Sequence, residues 1–357
     1  MTLLENKEVL PYFTSKNNGR KLTENDISLQ SGRRKSLFEG NQILLKAQTE
    51  SESDIVVSYT EVPFVFKHDV FGISSSKNKE KLFEIYALFI SNLHTYFQFL
   101  SNCSWGIATR PAIRLEEYLS FPYIKPSDSL LEKEFSLVSK FIQSYENFYK
   151  EFKLGDPQKE DFIFKEINDI VNNLYGINEY EKDLIDYVLN VSRYQFQESK
   201  QNLVTDFSFI NETHYRYRDT VLKKYAEVYL QEFEDLYADE NIQIEIYLLK
   251  HFIAMNFVFH KEAIKDKIIY PKDKLHEIDV LNKLGILGFS QITNTTDPTK
   301  NLFIQKDIKG FEENLFYIIK PNEYKCWHRA MAWYDIAEFK DMIGKAELEY
   351  LNNSEDE

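Results

Sequence analysis

The sequence is short of the residues that usually advertise chemistry. Its two cysteines, Cys103 and Cys326, have no metal-ligand spacing, which argues against a zinc module or disulfide scaffold and leaves reduced core thiols as the reading. The seven histidines are scattered, and His251 and His260 lack the interval that places two ligands on one helix face. No glycine-rich run ends in Gly-Lys-Ser/Thr. The nearest thing to a dinucleotide loop, "GILG" at Gly285–Gly288, lacks the third glycine and the acidic partner, so it reads as a helix end and turn. The carboxylate-lysine set in "DFIFK", Asp161–Lys165, is a chance pairing rather than a nuclease site. No metal ligand is expected. Nor does any apolar run approach the roughly 18 residues of a membrane helix. The opening "MTLLENKEVL" has no basic segment followed by an apolar one, so the chain is read as a cytoplasmic protein without a secretory leader.

Positive charge is also in deficit. With 43 Lys and Arg against 57 Asp and Glu the net charge is −14, which argues against an indiscriminate polyanion binder, since non-specific affinity comes mainly from neutralised phosphates. The deficit is uneven. Residues 16–35 carry Lys16, Arg20, Lys21, Arg33, Arg34 and Lys35 against Glu24 and Asp26, whereas residues 346–357 carry Glu347, Glu349, Glu355, Asp356 and Glu357 with no basic residue.

What is abundant is aromatic core material: 28 Phe and 23 Tyr in a chain that is 43% hydrophobic. At 357 residues there is room for more than one core. Short β-branched runs, "NQILLKAQ" and "DIVVSYTEVPFVFK", predict a hairpin or adjacent strands, the second broken at Pro63 or lying at a sheet edge. Asn78 caps a predicted amphipathic helix through "KEKLFEIYALFISNLHTYFQFL", read as one long element. Further helices are expected at Leu130–Phe152, Asp161–Leu174, Glu179–Val191 and Arg218–Tyr237. The alternation in "IQIEIYLL" and "FIAMNFVF" predicts a hairpin. A short helix near Leu275–Leu284, strands at "NLFIQ" and "NLFYIIK", and a last helix from about Tyr324 to Tyr350 complete the pattern. Strands and helices fall in clusters, so the expected fold is α+β, with short strands and hairpins packed against long amphipathic helices. The organisation expected is a polar N-terminal arm at 1–40, a first α+β unit at 41–200, a second at 201–345 and an acidic tail at 346–357.

Two basic stretches stand out. In "THYRYRDTVLKKY", Arg216, Arg218, Lys223 and Lys224 alternate with Tyr215, Tyr217 and Tyr225, the mix that nucleic-acid surfaces use for phosphate neutralisation and stacking. The competing reading is a solvated helix face whose tyrosines point inward. In "SNCSWGIATRPAIRLEEYLSFPY", Arg110 and Arg114 lie in a loop shaped by Trp105, Gly106, Pro111 and Pro122, and a guanidinium can fork onto a guanine edge.

Several stretches in order, "LFEGNQILLKAQ", "FVFKHDVFGIS", "LFISNLHTYFQFL", "SWGIATRPAIRLEEYLSFPY", "YEKDLIDYVLNVS", "YAEVYLQEF" and "FYIIKPNEYKCWHRAMAWYD", are similar to the C-terminal target-recognition region of adenine-specific DNA methyltransferases of bacterial type II restriction-modification systems, including fused restriction-methylation enzymes. The resemblance spans roughly residues 35–345. It implies an α+β module that contacts duplex DNA beside a catalytic domain carrying an S-adenosylmethionine site and an Asn-Pro-Pro-Tyr/Phe motif. Here none of the nine prolines follows Asn and no Pro-Pro pair exists. The resemblance therefore implies a recognition part with no catalytic or cofactor-binding residues of its own, acting with a catalytic methyltransferase chain that holds the S-adenosylmethionine. Lys35 joins Arg33, Arg34, Arg110, Arg114, Arg216, Arg218, Lys223 and Lys224 as a candidate DNA contact. Trp105, Gly106, Lys320, Pro321, Asn322, Trp327 and Arg329 carry over as landmarks without an assigned contact. The alternatives are a protein-interaction module of a phage-defence system that has lost DNA recognition, and an enzyme whose active site the sequence does not reveal.

Overall fold

The computed structural model describes residues 2–23, 35–47, 55–102, 112–150, 157–193, 215–234, 241–248, 252–271, 307–312 and 314–355. The chain divides into two compact units, Met1–Gln201 and Asn202–Glu357, and the fold is α+β in both.

The first unit opens with three short strands, Thr2–Leu4 (β1), Tyr12–Phe13 (β2) and Arg20–Lys21 (β3). Within the segment read as a polar arm Leu4, Val9 and Phe13 are buried; β3 pairs with β1, while β1 and β2 also pair with strands far along the chain. After a 3-10 turn at Lys35–Phe38 come Asn41–Lys46 (β4), Val57–Thr60 (β5), Phe64–Phe66 (β6) and Val70–Ser75 (β7). They form two sheets, β3-β1-β6 and β2-β5-β4-β7. The break expected at Pro63 is the point where the chain leaves one sheet for the other, β5 pairing with β4 and β6 running parallel to β1. Strand β4 is buried on both sides, because alternate side chains point to opposite faces. Ile43 and Leu45 join one core cluster and Leu44 another. Gln42, fully buried, ties the sheets together: its Nε2 donates to Phe64 O at 3.1 Å and its Oε1 accepts from Phe64 N at 2.8 Å.

The helix expected to be continuous is two, Lys79–Ile90 (α1) and Asn92–Ser101 (α2). Asn78 caps the first, accepting from Lys81 N at 2.7 Å. At the junction Ser91 takes extended backbone (ψ 152°), and its hydroxyl donates to Leu88 O at 2.7 Å and accepts from His94 N at 3.2 Å, ending one helix and capping the next. A short helix, Leu115–Leu119 (α3), precedes Asp128–Lys150 (α4), Pro157–Leu174 (α5) and Glu179–Tyr187 (α6), the last continuing as a π-turn through Val188–Ser192. Helices α1, α4 and α5 supply Phe83, Tyr86, Phe141 and Ile170 to the main core over β4 and β5. The stretch expected to form a loop, with Trp105, Gly106 and Arg110, lies outside the described residues.

In the second unit a helix, Tyr215–Glu234 (α7), precedes the hairpin Asn241–Leu248 (β8) and Phe252–His260 (β9), paired antiparallel with Leu248 opposite Ile253. Ile268–Ile269 (β10), Ile308–Glu312 (β11) and Leu315–Pro321 (β12) complete a sheet of order β10-β8-β9-β12-β11. The expected short helix at Leu275–Leu284 and the strand at "NLFIQ" lie outside the described residues. The last helix begins as one turn, Tyr324–Trp327 (α8), and restarts at Arg329–Glu355 (α9), with extended backbone at His328 between them. Helix α9 thus runs on into the segment expected to be an acidic tail. Ile244, Ile246, Met255, Phe257, Phe316 and Ile318 face Tyr225, Tyr229 and Phe339 on α7 and α9, one face of the period-two alternation meeting one stripe of each helix. Among the described residues no helix is long and apolar enough to cross a membrane.

Candidate nucleic-acid interface

The basic residues singled out by the sequence fall in separate places. Arg114 is exposed at the N-terminus of α3, where its backbone N–H donates to the Glu117 carboxylate at 2.5 Å. Glu117 also accepts from Asn102 Nδ2 at 2.9 Å, which joins the end of α2 to the start of α3. Lys35 opens the 3-10 turn Lys35–Phe38. Arg33, Arg34 and Arg110 lie outside the described residues. In the second unit Arg216 and Arg218 belong to the first turn of α7, with side chains outside the described atoms, while Lys223 and Lys224 are exposed along the same helix. Lys223 faces Glu227 at 3.9 Å, an exposed pair of small energetic weight.

The tyrosine interleaved with that basic run turns inward. Tyr225 is fully buried, and its hydroxyl donates to Asp335 Oδ2 at 2.6 Å, so it cannot stack on a base. Burial raises its phenol well above the ordinary range, with Tyr229 and Asp335 adding to the shift. For this position the solvated-face reading of α7 holds. Tyr215 and Tyr217 have no described side chain.

The landmark stretch "FYIIKPNEYKCWHRAMAWYD" closes on itself. Lys320, 3% exposed on β12, pairs with Asp335, 1% exposed on α9, and also donates to Cys326 O at 3.2 Å. The same ammonium lies 5.3 Å and 5.6 Å from the ring centres of Tyr225 and Trp327. Trp327, fully buried, donates from Nε1 to Pro321 O at 2.8 Å, and Asn322 is buried beside it. Lys320, Pro321, Asn322 and Trp327 are thus the joint between the central sheet and the last helix. Arg329 is the first residue of that helix. Cys326 is half-buried, and burial pushes its thiol up to about 11, as fits an unreactive core cysteine.

A second lysine completes the joint. Lys309 on β11 reaches Asp335 Oδ1 at 3.0 Å, Asp307 at 3.1 Å and Glu338. Burial alone would lower its ammonium, but Asp335 and the other two carboxylates outweigh that and leave it above the ordinary range. Asp307, Asp335 and Glu338 bring ligand atoms within 4.8 Å of one another, a donor set suited to a cation, and the Lys309 ammonium already sits among them. Sequence reasoning missed this cluster. Its signal was thin: Asp335 closes the landmark stretch, while Lys309 and Asp307 lie outside it and are brought in only by β11 pairing with β12.

No protein-family model matches the chain, and no curated protein matches it. Among solved structures it is similar to the Type IIL restriction-modification enzyme MmeI in complex with DNA, with 15% sequence identity and a TM-score of 0.33, over 48% of this chain and 22% of that one. The chain thus spans about a fifth of that enzyme, and a likeness of this size is too slight to establish fold or function.

Proposed function

We propose that the chain is the DNA target-recognition part of a split or truncated adenine-specific methyltransferase of a restriction-modification system, acting with a separate catalytic chain that binds S-adenosylmethionine. The observation that carries this reading is the order of the landmark stretches along the sequence. It gains support from where the described stretches sit: "NQILLK" in a strand buried on both faces, and the Lys320–Asp335 stretch at a sheet-helix joint. In this role the landmarks hold a scaffold, and sequence is read from surfaces such as that around Arg114. The chain contributes base and phosphate contacts, and the methyl transfer belongs to the partner. With a net charge of −14, few phosphate contacts are available, so the affinity of the isolated chain for DNA is expected to be weak at physiological salt.

The second reading, a protein-interaction module of a defence system, is favoured by the acidic balance and by the loss of Tyr225 from any stacking surface. A reconstitution separates the two. This chain and a catalytic chain bearing the Asn-Pro-Pro-Tyr/Phe motif are incubated with labelled S-adenosylmethionine and mixed duplex DNA. Transfer to adenine that requires this chain supports target recognition; transfer that ignores it, despite stable co-purification, supports the interaction module.

A further inference from the structure

The first unit contains a cavity of about 230 Å³ between α1 and the segment that follows α3. It is open to solvent on one side, its lining running from buried Leu88, Phe89 and Tyr118 at the bottom to exposed Leu119 and Tyr123 at the mouth, with Ile85 and Lys81 of α1 beside them. The volume exceeds the roughly 150 Å³ of apolar cavities that stay dry and admit benzene, and it falls short of the ~300 Å³ at which drug-sized ligand pockets begin. One ring with a small substituent fills it.

The segment 122–127 is built as a strap beside the mouth, and Tyr123 is its residue that lines the cavity. Residues 122–127 form neither helix nor strand, and Pro122, Tyr123, Ile124 and Lys125 are exposed, while Pro126 is buried. At the other end Phe121 packs with ring centres 5.2 Å from His94 and 5.3 Å from Phe97, and the Tyr175 hydroxyl donates to Pro122 O. Between these anchors one side chain fastens the strap to α1. The Tyr123 hydroxyl bonds Glu84 and Lys81, Lys81 pairs with Glu84 at 3.0 Å, and the Lys81 ammonium lies 4.0 Å from the centre of the Tyr123 ring. Charge at the mouth is internally compensated, so a charged guest would lose its hydration without gaining a free partner.

We infer that this cavity is a binding site for a small neutral aromatic molecule, and that residues 122–125 are its lid, latched by Tyr123 on Glu84 and Lys81. Nothing in the proposed DNA-recognition role requires such a site, and it stands or falls separately. The lid follows α3 within three residues, and Arg114 is the N-cap of that helix, so occupancy bears on a segment near a candidate DNA contact.

The test uses the full chain and fluorobenzene, followed by fluorine NMR. Saturable binding is expected. It is expected to weaken in Leu119→Trp and to disappear in Leu119→Trp/Ile85→Trp, whose two indoles together leave less room than a benzene ring needs. Tyr123→Phe keeps the ring but removes the latch; exchange of the probe should become about tenfold faster, the scale of one lost charge-assisted hydrogen bond. Absence of saturable binding in the wild type, or binding that survives both filling substitutions in folded protein, overturns the site. Exchange unchanged in Tyr123→Phe overturns the lid. Displacement of the probe by single-stranded DNA would reassign the cavity to a nucleobase and overturn the small-molecule reading.

Discussion

At the scale of single residues, buried charge and buried titratable groups decide most. Asp335 holds two lysines and a tyrosine in a site almost closed to water, and removing its charge leaves Lys320 and Lys309 without their shared counter-ion. Asp335→Asn is therefore expected to destabilise the protein by about 3 kcal/mol, the scale for breaking a buried pair from one side. Urea denaturation measures it, and a loss below about 1 kcal/mol would contradict the joint described for the second unit. Two groups of the first unit act in opposite directions with pH. His94, fully buried among Phe89, Tyr118 and Phe121, has its imidazole lowered by burial from 6.5 to about 3. Between those values the unfolded state holds the extra proton, so stability falls as the pH falls, by up to about 1.4 kcal/mol per pH unit. Glu134 on α4, 2% exposed, is raised from 4.5 to about 7 by burial and by the neighbouring Glu84, with Lys81 opposing. Between those values the folded state holds the extra proton, and stability falls as the pH rises. The two slopes oppose one another between about pH 4.5 and 6.5. Relative to wild type, stability over that range should rise with pH in Glu134→Gln and fall in His94→Gln; denaturant midpoints at several pH values read both differences. Parallel profiles in all three proteins would rule out these shifts.

At the scale of elements, local pattern foretold some structures and concealed others. The β8–β9 hairpin was legible because alternate isoleucines and aromatics run through both strands and a polar pair separates them. The Asn78 cap was legible for a similar local reason, an amide oxygen three residues before the N–H it accepts from. The break at Ser91 was not, since apolar residues continue at helical spacing on both sides of it and only the serine hydroxyl ends one helix and begins the other. Ser91→Ala should cost about 1 kcal/mol, the value of a helix N-cap, and a neutral result in thermal or urea unfolding would mean that packing alone bends the chain there. Strands β1 and β2 were hidden for another reason: each is two or three residues long and lies parallel to a strand more than forty residues away, so no window of sequence contains both partners. Close packing sets a further constraint on the first unit. A Cβ at Gly72 would lie 2.3 Å from the Phe66 ring, so Gly72→Ala must displace that ring from the core it shares with Phe38 and Leu44. A lower Tm is the expected result, and an unchanged one would place the ring elsewhere.

At the scale of the whole molecule, the α+β character could be read from clustered strand and helix patterns, whereas the position of the proposed DNA contacts could not. Arg114 is exposed as a DNA contact requires, but Tyr225 is core, because a tyrosine in a basic helical run looks the same in one dimension whether it faces water or a sheet. The landmarks around Lys320 turned out to be a joint for the same reason: fifteen residues separate Lys320 from Asp335 in sequence, and only folding brings them into contact. In the role proposed for the chain, the buried landmark residues hold the scaffold and exposed residues such as Arg114 are left to meet DNA. The central claim is target recognition, and the most direct measurement is selection from a mixed duplex library by the chain together with the catalytic chain proposed to act with it, followed by titration of the selected site at several salt concentrations. The account predicts enrichment of one short sequence, a negative slope of log affinity against log salt, and a shallower slope in Arg114→Ala. Recovery of an unenriched library by the intact complex would contradict it.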